Sequence, residues 1–343
     1  MYCERIRLQA VECLLPRDVN RRKVAMGTYI IRRILQMGLV LLIVTVIVFL
    51  AVRFLPGDPI LMYLTREDVQ EITQEQIDAI RHDLGLDRSM FVQYFDWLGH
   101  AATGDLGNSI IHRGKVINDI KKRLPITLYI GGLAFIISII IGIPMGVVAA
   151  VRRGTWLDSV LTSLGNLGIT IPIFWLGILL IYALGFKLGL LPIYGYTSPF
   201  KDFWKSTQQI IMPVFCLAVP SVASAVRMTR SSMLEVMRQD YVRTAWSKGL
   251  RERAVIIRHA LKNGLIPVVT LKGITLAAII GGSVLVETVF SIPGMGRLAV
   301  EGLFSQDYAV VQGVILVIGT LVLAVNLLID LSYGWLDPRI RYG

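Results

Sequence analysis

Five charged residues fall in or beside long apolar stretches of this sequence: Arg53, Asp58, Lys272, Glu287 and Asp330. A charge in hydrocarbon is costly and marks a functional position by default. The acids all lie towards the ends of their stretches, so they do not form the facing, proton-sharing pair an intramembrane aspartyl protease needs. Nor do five scattered ions make a proton relay. Arg53 and Asp330 lie close enough to an interface to snorkel or to pair locally. Lys272 lies well inside its stretch and must face protein or water. Glu287 precedes Phe290-Ser291-Ile292-Pro293-Gly294-Met295-Gly296 and reads as an anchor for that Pro-Gly turn. Asp58, Lys272, Glu287, Pro293 and Gly294 are the candidate residues of a pore or outer gate. No catalytic residue and no metal site is expected. The chain carries no G-x-x-x-x-G-K-[ST] phosphate loop, no H-E-x-x-H pair and no G-x-S-x-G elbow. Cys3, Cys13 and Cys216 show no C-x-x-C spacing, and His82, His100, His112 and His259 are scattered. Cys3 and Cys13 sit in a basic tail read as cytoplasmic, where disulfides rarely persist. Cys216 lies in an apolar block and reads as a packing residue.

The elements that must hold these residues are membrane spans. Of 343 residues, 54% are hydrophobic and 17% charged, against about 25% charged in a soluble domain. Mean hydropathy is +0.63. A hydrocarbon core about 30 Å thick needs about 20 helical residues. Six blocks meet that length: 34–55, 124–151, 160–184, 209–226, 265–289 and 309–333. The fourth is interrupted by Pro213 and Pro220, which neighbouring helices and water can accommodate in a membrane. The fold class is therefore all-α integral membrane with six transmembrane helices. The first block is too long for a signal peptide and reads as a permanent span.

Lys and Arg in the loops set the orientation. The tail 1–33 holds eight, the turn after the second span holds Arg152 and Arg153, and 227–263 holds nine. Loop 186–207 holds Lys187, Lys201 and Lys205, and 290–308 holds Arg297. Both termini (1–33 and 334–343) and the 227–263 loop are thus expected in the cytoplasm, in a multi-pass protein of the plasma or inner membrane. The net charge of +11 is spread between apolar blocks rather than gathered in one basic domain, which argues against nucleic acid as a partner.

The segment 56–123 faces outward in this reading. Thr73-Gln74-Glu75-Gln76 has the form of a capping box, followed by Ile77, Ile80 and Leu84 at helical spacing. A second short amphipathic helix is expected over Met90 to Leu98, before Gly104-Asp105-Leu106-Gly107. In the inner loop, Met233, Val236, Met237, Val242, Ala245 and Trp246 recur at mixed helical spacing, then Gly249, then Ala254, Ile257 and Leu261. That is helix, glycine break, helix. It suits a basic helix lying on lipid headgroups or a docking helix set into a partner's groove; the short side chain of Ala245 and the turn at Gly249 fit close approach to another protein.

At these residues the sequence resembles a known family. Asp240-Tyr241-Val242-Arg243-Thr244-Ala245, Lys248-Gly249-Leu250, Arg258-His259-Ala260-Leu261-Lys262-Asn263 and Pro267 resemble the coupling (EAA) loop of ABC-importer permeases, in the form found in the dipeptide/oligopeptide/nickel branch. Leu55-Pro56-Gly57-Asp58-Pro59, Gly104-Asp105-Leu106-Gly107 with Ser109, Arg123-Leu124-Pro125 with Thr127, Glu287 to Gly296, and Asp337-Pro338-Arg339-Ile340-Arg341 follow in order. Arg243-Thr244-Ala245 stands where the wider family has Glu-Ala-Ala, and Trp246 is bulky where a basic residue is the rule. The resemblance covers Tyr29 to the end. It implies a type I ABC importer-like permease core in 124–333, joined to the first span 34–55 and the external helical segment 56–123. It implies a second homologous permease, two ATPase subunits carrying ATP and magnesium, and an external substrate-binding protein as partners. Asp240, Tyr241, Ala245, Gly249, His259, Leu261 and Asn263 are then the residues expected to couple to the ATPase, through the 231–263 loop. Di- or oligopeptides lead as solutes, ahead of nickel chelates, glutathione or oligosaccharides. A self-sufficient ion-coupled carrier and a membrane-embedded hydrolase are the competing classes.

Overall fold

The computed structural model describes residues 17–54, 78, 81–82, 85–109, 111 and 113–336. Its helices are α1 (Arg17–Arg53), α2 (Met90–Ala102), α3 (Val116–Val151), α4 (Trp156–Thr170) and α5 (Ile173–Leu180), which widens into a π-helical segment Ile181–Lys187. There follow α6 (Phe203–Val236), α7 (Asp240–Ser247), α8 (Glu252–Ala254), a second π-helical segment Val255–Ala260, α9 (Leu261–Gly264), α10 (Ile266–Val289), α11 (Met295–Phe304) and α12 (Tyr308–Leu336). A two-residue antiparallel ladder pairs Asn108 with Lys115 and Ser109 with Gly114. It closes the outer segment onto the start of α3.

Among the described residues, five helices are long and apolar enough to cross a membrane: Ile30–Arg53, Val116–Val151, Phe203–Val236, Ile266–Val289 and Tyr308–Asp330. The expected span 160–184 is not one straight helix. It is α4 and α5, bent by 101° at Ile171-Pro172. Proline has no N–H to continue α4's ladder and pushes the residue before it out of the helical region. Ile171 is accordingly extended, at ψ 123°. Counting the bent pair as one gives six spans.

α6 differs from expectation in the other direction. Its 34 residues reach about 50 Å at 1.5 Å per residue, beyond a hydrocarbon core of about 30 Å. Pro213 and Pro220 lie within it without ending it. Residues 227–236, assigned above to the inner loop, are its continuation. α6 is also the central helix, packing against α3, α4, α5 and α10.

The α3–α6 seam is built on small residues. Ile130, Ala134, Ser138, Gly142, Gly146 and Ala150 are all buried and recur every fourth residue, one stripe of a helix. A Cβ added at Gly142 would lie 2.6 Å from Ala225 Cβ, and one at Gly146 2.6 Å from Thr229 Cβ and 2.8 Å from the Val226 carbonyl. Lipid tails are as apolar as leucine, so helices in a bilayer associate by close backbone approach rather than by hydrophobic burial. Nearer the start of α3, Ile130, Ala134, Met212, Leu217, Phe290 and Ile292 form a core that also takes in Cys216, a buried free thiol.

Candidate functional site

The inner unit begins where α6 ends. α7 buries Val242 and Ala245 against Val255, with Val236 of α6 beside them. Ala245 is 5% exposed, which corrects the expectation above: its short side chain allows close approach to this chain's own Val255, not to another protein. Tyr241, Trp246, Leu250 and Ile257 are instead the exposed apolar side chains around the turn. That turn needs Gly249, whose φ of +73° lies in the left-handed region that costs an L side chain about 1–2 kcal/mol.

Polar and steric ties fix the unit to the bundle. Asn263 Nδ2 donates to the Tyr241 hydroxyl at 2.8 Å, joining two of the expected coupling residues. Ser232 Oγ of α6 donates to the Gly264 carbonyl at 2.8 Å, and a Cβ at Gly264 would press on Met233 Sδ at 2.7 Å. Leu261 packs on a cluster of Ala150, Met233 and Ala260. His259 is half-buried in the π-helical segment, and Asp240, in α7's first turn, is exposed.

Lys272 is buried, at 4% exposure. Its Nζ donates to Ser138 Oγ at 2.8 Å, the Ser221 carbonyl at 2.8 Å and Ser221 Oγ at 3.2 Å. One ammonium thus joins α3, α6 and α10, and none of these three partners is an acid. The expectation that Lys272 faces protein rather than lipid holds.

Glu287 is 1% exposed. Its Oε1 accepts from Thr127 Oγ1 at 2.6 Å and its Oε2 from the Arg297 N–H at 3.1 Å. Thr127 in turn accepts from the Met295 N–H at 2.8 Å. A Cβ at Gly294 would collide with the Glu287 carboxylate. Pro293 leads into this contact, and Ser291 holds φ +53°. Glu287 therefore acts as the anchor expected for the Pro-Gly turn. Asp58 lies outside the described residues, as do the Thr73–Gln76 capping box, His112 and the terminal Asp337–Arg341 motif.

Further polar joints cross the bundle. Asp158, at the start of α4, is gripped by Arg230 of α6, with Nε donating to Oδ1 at 2.6 Å and Nη2 to Oδ2 at 2.8 Å. The Gly154 N–H and Thr162 Oγ1 donate to the same carboxylate. Arg230 had been counted only as a topology charge. Asp307 receives Ser109 Oγ at 2.6 Å and the Ile111 N–H at 3.2 Å, holding the outer segment against α12. Glu301 takes both Arg123 and Arg297. Arg33 pairs with Asp330 across α1 and α12 at 3.2 Å, the local pairing expected of Asp330. The available signal was an acid and an arginine each near an apolar block's end, but 72 residues part Asp158 from Arg230.

Residues 142–342 match the family of binding-protein-dependent transport system inner membrane components, and residues 26–131 match that family's N-terminal domain. The chain belongs to this family. The permease is 42% identical over 320 residues to a protein of Brucella abortus (strain 2308) provisionally named a peptide transport system permease, covering 92% of this chain and 100% of that one. It is 38% identical over 320 residues to the oligopeptide transport system permease protein AppB of Bacillus subtilis (strain 168), again covering 92% and 100%. In fold it is similar to a chain of the inward-facing MetNI methionine ABC transporter, at a TM-score of 0.53 and 19% identity, over 64% of this chain and 96% of that chain. The permease is thus an all-α integral membrane protein of ABC-importer type.

Proposed function

We propose that this permease passes di- or oligopeptides across the cytoplasmic membrane, driven by two ATPase subunits that dock on the inner unit and carry ATP and magnesium. A second homologous permease completes the pore, and an external binding protein delivers solute to the outer mouth. The termini and the 227–263 loop face the cytoplasm, following the distribution of Lys and Arg. The peptide assignment is supported by the names of relatives matched over their full length. The docking assignment is carried by one observation. α7 holds Tyr241 and Trp246 outward while its own core, Val242 and Ala245, locks it to α6 and Val255. Exposed aromatic anchors on a rigid mount suit insertion into a partner's pocket.

The mechanics follow from the ties described above. ATP-driven closure of the ATPase pair displaces α7. Through Val236, Ser232 and Gly264 that displacement reaches α6 and α10, and the spans rock between inward- and outward-facing states. The buried Glu287 and Gly294, with Pro293 between α10 and α11, hold the loop that ends α10 during this motion. The chain itself performs no covalent chemistry.

Purification of the tagged chain from its native membrane in mild detergent, with mass spectrometry of what accompanies it, tests the assembly. ATPase chains and a second permease are expected; repeated isolation alone or as a homo-oligomer would favour a self-sufficient carrier. Reporter fusions at residues 100 and 200 should read external and one at 250 internal. An external reading at 250 would overturn the orientation.

A further inference from the structure

At the outer end of α1, the Arg53 guanidinium lies over two aromatic rings, 5.1 Å from the Phe49 centroid and 4.9 Å from that of Tyr308. Its Nε and Nη1 are buried and unbonded, and among the described residues no carboxylate forms an ion pair with it. Beside it is a cavity of about 350 Å³, lined by Arg53, Trp97 and Gln312 among others. Trp97 Nε1 and Gln312 Nε2 are also buried without a hydrogen-bond partner. Gln312 is 4% exposed.

Four buried N–H-bearing atoms, on three side chains from α1, α2 and α12, thus line one space with no acceptor supplied to them. An unsatisfied buried polar group costs about 1–3 kcal/mol, more when charged, and each such group in a native protein needs an explanation. One buried acceptor without a partner, Gln93 Oε1, lines the same cavity, so unpartnered donors there outnumber unpartnered acceptors four to one. The volume falls at the lower end of that usual for small-molecule sites, about 300–1,000 Å³. Asp96 and Asp105, with Arg88 and His100, line the same cavity and are exposed, so its mouth carries both signs of charge while the open donors of its interior draw a negative group.

We infer that this cavity is a carboxylate-binding subsite at the outer mouth, in which Arg53, Trp97 Nε1 and Gln312 Nε2 take the carboxylate end of a small solute. The inference rests on the peptide reading for the identity of that solute, since a peptide's C-terminal carboxylate is the group common to all members of the class. It goes beyond that reading in giving this chain a solute contact of its own. The two cation–π contacts hold the guanidinium before solute arrives, which lowers the ordering cost of binding.

The experiment uses the assembled complex in lipid nanodiscs, with dialanine, dialanine amide and acetate as probes in calorimetric titration and thermal melts. Dialanine should bind, acetate should compete with it, and the amide should bind at least about tenfold more weakly, as loss of a charge-assisted hydrogen bond requires. R53Q should lose dialanine binding by at least the same factor. Q312E places a carboxylate beside the open guanidinium; it should raise the melting temperature and abolish dialanine binding. The inference is overturned if amide and acid bind alike, if R53Q binds as wild type does, or if Q312E lowers the melting temperature as an added unpaired buried charge would. Transport of dialanine by a complex that binds acid and amide alike would leave the peptide reading standing and remove the subsite. Arg53-dependent acetate binding in a complex that transports no peptide would do the reverse.

Discussion

Two regions of the permease handle polar groups differently. Around the α10–α11 loop, acids are buried and saturated: Glu287 by Thr127 and the Arg297 N–H, and Asp307 by Ser109 and the Ile111 N–H. Each ties a loop to a span. At the opposite end of the bundle, α7 rests on apolar contacts and one exposed hydrogen bond between Asn263 and Tyr241, and its aromatic residues face outward. An acid saturated by backbone donors fixes geometry, because any movement strands a buried charge or donor. An apolar mount with exposed anchors instead transmits force to whatever seats on it. The α10–α11 loop is built to hold a shape, and α7 to present its aromatic side chains on a firm mount.

That contrast is sharpest in what substitutions should do to stability. Glu287→Ala leaves the Thr127 hydroxyl and the Arg297 N–H without their acceptor, at about 1–3 kcal/mol for each stranded group; detergent melts should show this variant as the least stable of the set. An unchanged melt would break the view of the α10–α11 loop as a lock. Asp158→Ala belongs to the α7 end of the bundle rather than to α7 itself. It strands Arg230, whose side chain remains 27% exposed, so the loss should fall below the 3–5 kcal/mol of a fully buried broken pair, at about 2 kcal/mol. Gly146→Leu drives a side chain into Thr229 and the Val226 carbonyl. Overpacking of this kind costs about 1–3 kcal/mol, and a separation of α3 from α6 should be visible by cross-linking of cysteines placed in the two helices.

Smaller effects on stability test the α7 end itself. Lys272→Met exchanges an ammonium with three neutral partners for an apolar chain of similar length. Interhelical hydrogen bonds in membranes average about 0.6 kcal/mol, so losing the three to Ser138 and Ser221 should cost about 1–2 kcal/mol in the melt. Trp246→Ala should shift stability least, because the position is exposed; Gly249→Trp, also at an exposed position, costs about 1–2 kcal/mol for its left-handed φ. Coupled transport in proteoliposomes should nevertheless be lost in Gly249→Trp with membrane insertion intact. Normal transport by that variant would remove the docking role from the inner unit.

Much of this arrangement was legible in the chain. Block length gave the spans, because helix rise and bilayer thickness are fixed quantities. The helix, glycine, helix order around Gly249 was readable, because the left-handed turn has a residue preference. The short outer helix appeared where its apolar spacing put it, over Met90–Ala102. Glu287 could be assigned to the Pro-Gly turn, since anchor and turn are adjacent in sequence.

What remained illegible depends on which side chains meet across the bundle. Ala245 looked like a contact for a partner, yet the orientation of α7 on Val255 turns it inward. Arg230 looked like one of many loop cations until α6 ran on past the membrane and brought it to Asp158. The glycines at 142 and 146 gained meaning only from the backbone of α6 lying against them. The kink at Ile171-Pro172 was written locally, but only the packed structure gave its 101°. By itself the sequence determined that this is a polytopic α-helical permease, its candidate spans and the inner loop, because hydropathy and turn chemistry act over short chain distances. The tertiary structure alone decided that Lys272 is shared by three helices, that Asp158 holds Arg230, and that Arg53 faces a cavity with its donors open. Those are contacts between residues far apart in the chain, set by how the helices rotate and cross rather than by local composition.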